Sequence, residues 1–293
     1  MQIIEGFGRD IYFQDIVDIE KTNSRFLFLD GVGNRVFCTN EHFEYMFSFI
    51  EEGGAENEAK GLQSMAVFRD TIYVADVSAG KIMAFDVAGG FIESYPSLLL
   101  GIGDFAANQD NIIVYNDNNM LSEELILLNK HHLTRQHMPL VSSGYNKPDR
   151  HILLLDEGDV LCVFAENKPI IEIYSQEGKL LSHTDLSYLD IFRPVMAYYE
   201  KEIKHDPKTD LVLIPDASIC NNRLFLLVTH MDENSEWHSR YILECQITQN
   251  VITPIRLIHL KEGWYESVYV DCNNGYIVLG NTADVLIAKF SLP

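Results

Sequence analysis

Cationic residues are scarce in this sequence. Its 22 lysines and arginines stand against 43 aspartates and glutamates, which gives a formal charge of −21 over 293 residues. A surface this acidic repels phosphate backbones and anionic lipid headgroups, so we expect neither nucleic-acid binding nor membrane insertion. Such a surface favours solubility and cationic partners. The partner classes that the composition leaves open are a protein, a peptide or a small molecule.

Long apolar segments and a processing signal are also lacking. The N-terminus, Met1 to Glu5, carries neither basic residues nor a long apolar run, so no signal peptide and no transmembrane helix are predicted. If Met1 is the native start, the expected location is the cytoplasm; if a leader was removed, the protein would act outside it. The sequence has no Asn-x-Ser/Thr sequon, so glycosylation gives no information on the compartment.

Cysteines are few and widely spaced: Cys38, Cys162, Cys220, Cys245 and Cys272. An odd number at such spacing matches neither a disulfide framework nor a zinc-binding pattern. Several of them stand in apolar, strand-like runs, where a thiol behaves as a small hydrophobic group. We therefore expect five reduced thiols, mostly buried, and no zinc.

Apolar residues make up 47% of the chain, which is enough for a large core, and they occur in short runs. Residues 61–95 contain four such runs, separated by turns at Arg69-Asp70, at Ser78 to Gly80 and at Gly89-Gly90. Short β-rich runs broken by Asp and Gly turns indicate antiparallel strands. Four such strands form one blade of a β-propeller.

The second run of this unit recurs along the chain. Its last position falls at residues 30, 76, 116, 165, 229 and 280, at intervals of 40 to 64 residues, whereas no long window shows helical periodicity. The last unit, from about Trp264, holds three strands, and residues 2–5 form an unassigned strand. The sequence therefore predicts an all-β fold: one six-bladed β-propeller domain over residues 1–293, with four-stranded antiparallel blades. The N-terminal strand is expected to close the ring beside residues 286–290.

One of these units resembles a known repeat. The segment Ile72 to Asp76, followed by Lys81-Ile82, Phe85-Asp86 and a glycine turn, resembles the NHL repeat of NHL/TolB-like six-bladed propellers. The order of elements is also similar to that of the six-bladed propeller proteins abundant in Bacteroidetes. In that group a glycine-rich acidic segment joins the first two full blades, and Glu51 to Glu58 occupies this place without the prolines common there. The resemblance implies the fold and, in that group, frequent export; it implies no particular chemistry.

A ligand site is expected where loops converge. The loops that follow the second strands and precede the first strands meet at one mouth of a propeller channel. Because the chain has few cations, those expected on this face are informative: Lys81 follows a tight turn, and Arg193 precedes Pro194 at the expected start of a first strand. Tyr265 and Glu266 stand at the next such start. The predicted ligand-binding residues are Lys81, Arg193, Tyr265, Glu266, Glu166 and His230.

Catalytic motifs are not recognisable. The chain has no Gly-x-Ser-x-Gly elbow, and no catalytic residue, resident metal or other cofactor is predicted. A non-enzymatic propeller that presents a loop-built face to a ligand or protein is therefore the leading hypothesis. One alternative is a metal-assisted (Ca²⁺ or Zn²⁺) hydrolase, lactonase or lyase at the channel mouth; another is a structural subunit of a larger assembly. For Ca²⁺, which prefers oxygen ligands, the candidate residues are Asp30, Asp76, Asn116 and Asn281.

Overall fold

Six four-stranded antiparallel sheets form the fold, and the predicted six-bladed β-propeller is confirmed. The computed structural model describes residues 2–4, 12–22, 24–96, 102–116, 124–139, 150–155, 158–164, 168–202, 211–232, 236–260, 263–281 and 286–292.

The chain begins with β1 (Gln2–Ile4) and then forms the first three blades. Blade 1 contains β2 (Ile16–Lys21), β3 (Arg25–Asp30), β4 (Arg35–Asn40) and β5 (Tyr45–Phe49). Two short strands, β6 (Glu51–Glu52) and β7 (Glu58–Ala59), pair in parallel before blade 2. Blade 2 contains β8 (Leu62–Phe68), β9 (Thr71–Asp76), β10 (Lys81–Asp86) and β11 (Phe91–Pro96). Blade 3 contains β12 (Ile102–Ala107), β13 (Asn111–Asn116), β14 (Glu124–Asn129) and β15 (Arg135–Pro139).

The second half of the chain forms the remaining blades and one helix. Blade 4 contains β16 (Arg150–Leu154), β17 (Val160–Phe164), β18 (Ile170–Tyr174) and β19 (Leu180–Asp185). Helix α1 (Arg193–Glu202) leads to blade 5, which contains β20 (Ala217–Cys220), β21 (Arg223–Met231), β22 (Trp237–Thr248) and β23 (Val251–His259). Blade 6 contains β24 (Ser267–Asp271), β25 (Tyr276–Asn281) and β26 (Leu286–Ser291), with β1 outermost.

Burial explains the apolar runs. A middle strand lies between two neighbouring blades, so both of its faces are covered and it reads as a continuous apolar segment, as Ile72 to Ala75 do in β9. An outer strand is covered on one face, and β19 alternates half-buried and exposed residues. The buried apolar side chains form one cluster between each pair of neighbouring blades. The core of the protein therefore lies between the blades.

The ring is closed by residues from both ends of the chain. The first strand of each blade contacts the first strands of its neighbours, and β2 of blade 1 contacts β24 of blade 6. Strand β1 pairs with β26 in antiparallel register, with Ile3 opposite Ala288, which confirms the predicted closure. Lys21 adds a salt bridge to Asp271 across the same junction, with its Nζ 2.5 Å from Oδ2.

Two details of the prediction are wrong. The chain from Arg193 to Glu202 is an α-helix rather than the start of a first strand. Proline is tolerated in the first turn of a helix, where its missing N–H has no intrahelical partner, so Pro194 is compatible with a helix as well as with a strand start.

No helix among the described residues is long and apolar enough to cross a membrane.

The second correction concerns the thiols. Cys220, at the end of β20, and Cys272, directly after β24, form a disulfide between blades 5 and 6. They are 52 residues apart in sequence, and only the side-by-side placement of the two first strands brings them together. Cys38, Cys162 and Cys245 form no disulfide and are buried, as expected.

Candidate functional site

The first strands of the blades surround a central cavity of about 880 Å³. All six first strands contribute to its wall. Its rim includes residues that follow helix α1, such as Val212, and the tip of the long hairpin of blade 5, with Trp237. Ligand cavities of small-molecule sites are roughly 300–1,000 Å³. This cavity is therefore large enough to take a small molecule in the channel.

Aspartates of alternate blades form hydrogen bonds that connect neighbouring blades around this cavity. Asp18 of blade 1 accepts a hydrogen bond from the backbone N–H of Met65 in blade 2, at 2.6 Å. Asp104 of blade 3 accepts one from a backbone N–H of blade 4 at 3.1 Å. Asp216, before β20 of blade 5, accepts one from a backbone N–H of blade 6 at 2.6 Å. These bonds place three carboxylates of blades 1, 3 and 5 in the cavity wall.

His151 of β16 lies between two of these carboxylates. Its Nε2 donates to the Ile214 carbonyl oxygen at 2.8 Å, and its Nδ1 lies 3.6 Å from an Asp104 oxygen and 3.8 Å from an Asp216 oxygen. Burial alone would lower its pKa, but the two carboxylates and the carbonyl outweigh that effect and raise the pKa to about 9. His151 is therefore a doubly protonated imidazolium at neutral pH.

Glu20 and Asp18 stand two residues apart on β2, and both line the cavity. Burial, followed by repulsion from Asp216, raises the Glu20 pKa to about 8. Burial and repulsion from Glu20, Asp216 and Asp104 raise the pKa of Asp18 as well. The pKa of Asp216 is raised to about 6 by burial, although His151 opposes this shift. At neutral pH the Glu20 carboxyl therefore retains its proton.

Both tryptophans of the chain line this cavity. The Trp237 ring packs edge-on against Tyr198 of helix α1, with 5.1 Å between ring centroids. The Trp264 Nε1–H donates to Glu266 Oε1 at 3.0 Å. Tyr269 of β24 also lines the cavity. Aromatic rings therefore stand beside the acidic groups on the wall.

Two of the predicted ligand-binding residues, Lys81 and Arg193, bind groups of surface loops through hydrogen bonds and an ion pair. The Lys81 ammonium donates to the carbonyl oxygens of Ala55, Glu56 and Glu58 at 2.7 to 2.9 Å, so it fixes the acidic segment between blades 1 and 2. The Arg193 guanidinium pairs with an Asp190 oxygen at 2.9 Å and donates to a carbonyl oxygen at the start of the same turn. Neither residue lines the central cavity.

The other four predicted ligand-binding residues do not lie together at one site. Glu266 is exposed and lines the cavity. Tyr265 is 2% exposed and packs edge-on against Phe290 between blades, and His230 packs edge-on against Tyr241 outside the cavity wall. Glu166 lies outside the described residues. Of the predicted set, Glu266 alone is placed at the cavity by the part of the chain that the structure describes.

Two of the residues proposed for Ca²⁺, Asp30 and Asp76, accept backbone hydrogen bonds at the ends of second strands. Asp30 accepts hydrogen bonds from three backbone N–H groups, among them that of Gly33 at 2.7 Å. Asp76 accepts two. Asn281 is 2% exposed, at the end of β25, and the side chain of Asn116 lies outside the description. None of the described three lines the cavity.

Another cluster has potential metal ligands. Asp232, Glu236 and His238 lie on the hairpin between β21 and β22 and bring three ligand atoms within 4.8 Å of one another. One of its carboxylates already contacts the hairpin: Asp232 accepts the Glu236 N–H at 3.0 Å and lies 3.3 Å from His238 Nε2. Within the described ranges, no other His, Cys, Asp or Glu group meets that spacing.

Apart from Glu266, the cavity carboxylates were not among the predicted site residues, because the prediction considered loops at the mouth. Asp18, Glu20 and Asp104 lie within first strands instead. A signal was available: the strand Ile-Val-Asp-Ile-Glu places two acids two positions apart, hence on one side of an otherwise apolar strand.

Together, these features define a six-bladed β-propeller with an acidic and aromatic central cavity. No protein-family model matches the chain, and no curated protein matches its sequence. Solved structures match over nearly its whole length at low identity. Streptogramin B lyase shares 14% identity with a TM-score of 0.60, covering 98% of this chain and 96% of that one. Virginiamycin B lyase from Staphylococcus aureus shares 11% with a TM-score of 0.58, covering 100% and 99%.

An exported protein of Bacteroides fragilis, so described without an assigned activity, is also similar. It shares 13% identity with a TM-score of 0.62, covering 95% of this chain and 82% of that one. At such identities the likeness concerns the fold alone, which hosts unrelated functions.

Proposed function

We propose that this protein binds a small molecule in its central cavity, as a binding protein rather than an enzyme. The observation that carries the proposal is the cavity itself: about 880 Å³, walled by all six first strands and lined by aromatic, aliphatic and carboxylate groups. A concave site of this size, in which polar groups converge between apolar and aromatic side chains, is typical of small-molecule binding. Glu266, the predicted residue at the cavity, and the rim tryptophans are the expected contacts.

Tryptophan fluorescence provides the test, because Trp237 and Trp264 are the chain's two tryptophans and both line the cavity. A screen of small aromatic and amine compounds should give hits that change this emission and raise the melting temperature, since a ligand that binds the folded state stabilises it.

An occluded variant assigns such hits to the cavity. Gln63→Phe with Val212→Phe adds two rings to its wall, and we expect the hits to bind this variant at least about tenfold more weakly. Val32→Phe is the matched control, since Val32 is 61% exposed and does not line the cavity. Hits that bind the occluded variant as tightly as the wild type would contradict the proposal.

A second candidate function is acid–base catalysis in the same cavity. It is favoured by His151 and Glu20, whose pKa values of about 9 and 8 leave two proton donors in one desolvated site. Such shifted groups cluster at active sites. Turnover in a screen of lactones and esters, abolished by His151→Gln, would establish this function in place of simple binding.

The finer family assignment also stays a proposal. The Ile72 to Asp76 strand, with Lys81 at the start of the next strand, supports an NHL/TolB-like relationship, and a single propeller domain over residues 1–293 is consistent with the ring. A sequence alignment of close relatives that preserves this pattern in several blades would test it.

A further inference from the structure

The charges around the cavity do not balance. Five carboxyl groups and three basic groups belong to the residues that line it. They are Asp18, Glu20, Asp104, Asp216 and Glu266, with Lys21, Arg150 and His151.

Two of the three basic groups are already committed elsewhere. The Lys21 ammonium lies 2.5 Å from Asp271 and 3.0 Å from Glu41, which stand outside the cavity wall. The Arg150 side chain is 1% exposed, and its guanidinium lies 4.1 and 4.6 Å from the ring centroids of Phe164 and Tyr115. His151 alone places its positive charge between cavity carboxylates. Above about pH 8, where Glu20 ionises, the wall therefore carries an excess of negative charge that a bound cation could offset.

The spacing of these carboxyl groups suits a large cation better than a bare ion. A metal ion needs several ligand atoms at one point. Of the described residues, those of the cavity do not bring three such atoms within 4.8 Å of one another. The cavity volume of about 880 Å³ instead matches an organic molecule.

Two other groups on the wall point to such a ligand. Trp237, Trp264 and Tyr269 line the cavity, and aromatic faces attract ammonium and guanidinium groups. Ser64 also lines it and is 5% exposed, and within the described part of the chain its hydroxyl has no hydrogen-bond partner. A ligand N–H could donate to that buried oxygen.

We propose that the ligand of the central cavity is an organic cation of the ammonium or amidinium class, bound beside the carboxyl groups of Asp18, Glu20 and Asp216 and the rim tryptophans. This inference rests on the proposed binding function and names its ligand class. A positive charge favours the ionised form of each carboxyl group, so binding releases protons from Glu20 and Asp18 and strengthens as the pH rises. The loss of the His151 proton towards pH 9 acts in the same direction.

The test compares phenyltrimethylammonium with tert-butylbenzene, which has nearly the same shape and no charge. Binding to the full chain is followed by tryptophan fluorescence at pH 6 and pH 8.5. The cation should bind roughly tenfold or more tightly than the neutral compound, and its affinity alone should increase with pH. Glu20→Gln and Glu266→Gln should each weaken cation binding and spare the neutral compound, whereas the exposed Glu177→Gln, outside the cavity wall, should change neither.

The outcomes separate the two proposals. Equal affinity for both compounds would overturn the cation inference and leave small-molecule binding standing. If neither compound binds the wild type, but other hits bind the cavity, the cation inference fails alone; if no compound of the screen binds there, both proposals fail. Displacement of phenyltrimethylammonium by micromolar Ca²⁺ would overturn the inference in favour of a metal site.

Discussion

Replacing Glu20 with glutamine should make the protein more stable at alkaline pH. Glu20 lies on β2 in the cavity wall, where burial and Asp216 raise its pKa from 4.5 to about 8. Between these two pH values the folded state holds a proton that the unfolded state has released. The free energy of unfolding therefore falls as the pH rises through this window, by at most about 1.4 kcal/mol per pH unit.

The expected magnitude follows from that slope. From pH 5 to pH 8 the limiting value is about 4 kcal/mol. Glu20 is only half-buried and water in the cavity screens its charge, so we expect about 1–1.5 kcal/mol. A protein of this size changes its melting temperature by roughly 2–4 °C per kcal/mol. The Glu20→Gln variant should thus melt about 2–6 °C above the wild type at pH 8 and match it near pH 5.

Thermal unfolding followed by circular dichroism across pH 5 to 8 measures this difference. The raised pKa of His151 also adds stability, which is complete below pH 6.5 and lost as the pH rises through about 9. Because His151 is present in both proteins, its contribution largely cancels in the difference between their melting temperatures. Glu177→Gln removes an exposed carboxylate away from the cavity and should follow the wild type. Parallel curves for Glu20→Gln and the wild type would refute the assignment of a desolvated, protonated Glu20.

Three further predictions concern the contacts of blade 6 with blades 1 and 5 and with the N-terminal strand. Burial alone would raise the Asp271 pKa, but Lys21 and Asn274 together lower it from 3.8 to about 2. Because Lys21 supplies part of this shift and solvent screens the pair, Lys21→Met should cost roughly 1–1.5 kcal/mol at pH 7. That contribution is present above pH 3.8 and lost as the pH falls through about 2, so urea titrations of the two proteins should converge at acid pH. A thiol titration of the denatured protein should find three thiols without reductant and five after reduction, and five without reductant would exclude the Cys220–Cys272 bond. Replacing Cys220 and Cys272 with serine should lower the free energy of unfolding by roughly 2–4 kcal/mol. Deleting residues 1–4 should remove the strand paired with β26 and cost roughly 1–3 kcal/mol, and an unchanged melting temperature would contradict this role.

The blade architecture was predictable from the sequence because each blade repeats one local pattern. The pattern is an apolar second strand that ends in an aspartate, Asp30 or Asp76. In the structure the apolar residues are buried from two sides, and the aspartate carboxylate accepts backbone N–H groups of the following turn. These are short-range properties, visible in consecutive residues. The strand pairing of β1 was predictable for a related reason, since the last unit lacked a fourth strand.

The site depends on contacts that no local pattern contains. Asp104, His151 and Asp216 come from three blades and meet only because first strands stand side by side in the ring. The Cys220–Cys272 bond has the same origin. The helix at Arg193 was missed because Pro194 is compatible with both a strand start and a helical first turn. Lys81 was chosen for its charge, which the carbonyl groups of the acidic segment already satisfy.

Trp237 and Trp264 line an open cavity, and the cation proposal requires that this cavity carry a negative potential above about pH 8. Collisional quenching of their fluorescence by caesium and by iodide, at equal ionic strength, tests it without any ligand. Trp237→Phe and Trp264→Phe leave one tryptophan each. In both variants the caesium quenching constant, divided by its value for free tryptophan, should exceed the iodide constant normalised in the same way. At pH 8.5, where most of the Glu20 carboxyl is ionised, adding Glu20→Gln and Glu266→Gln should narrow that difference, whereas Glu177→Gln should not. Stronger normalised quenching by iodide, or a difference that the cavity substitutions leave unchanged, would contradict the account.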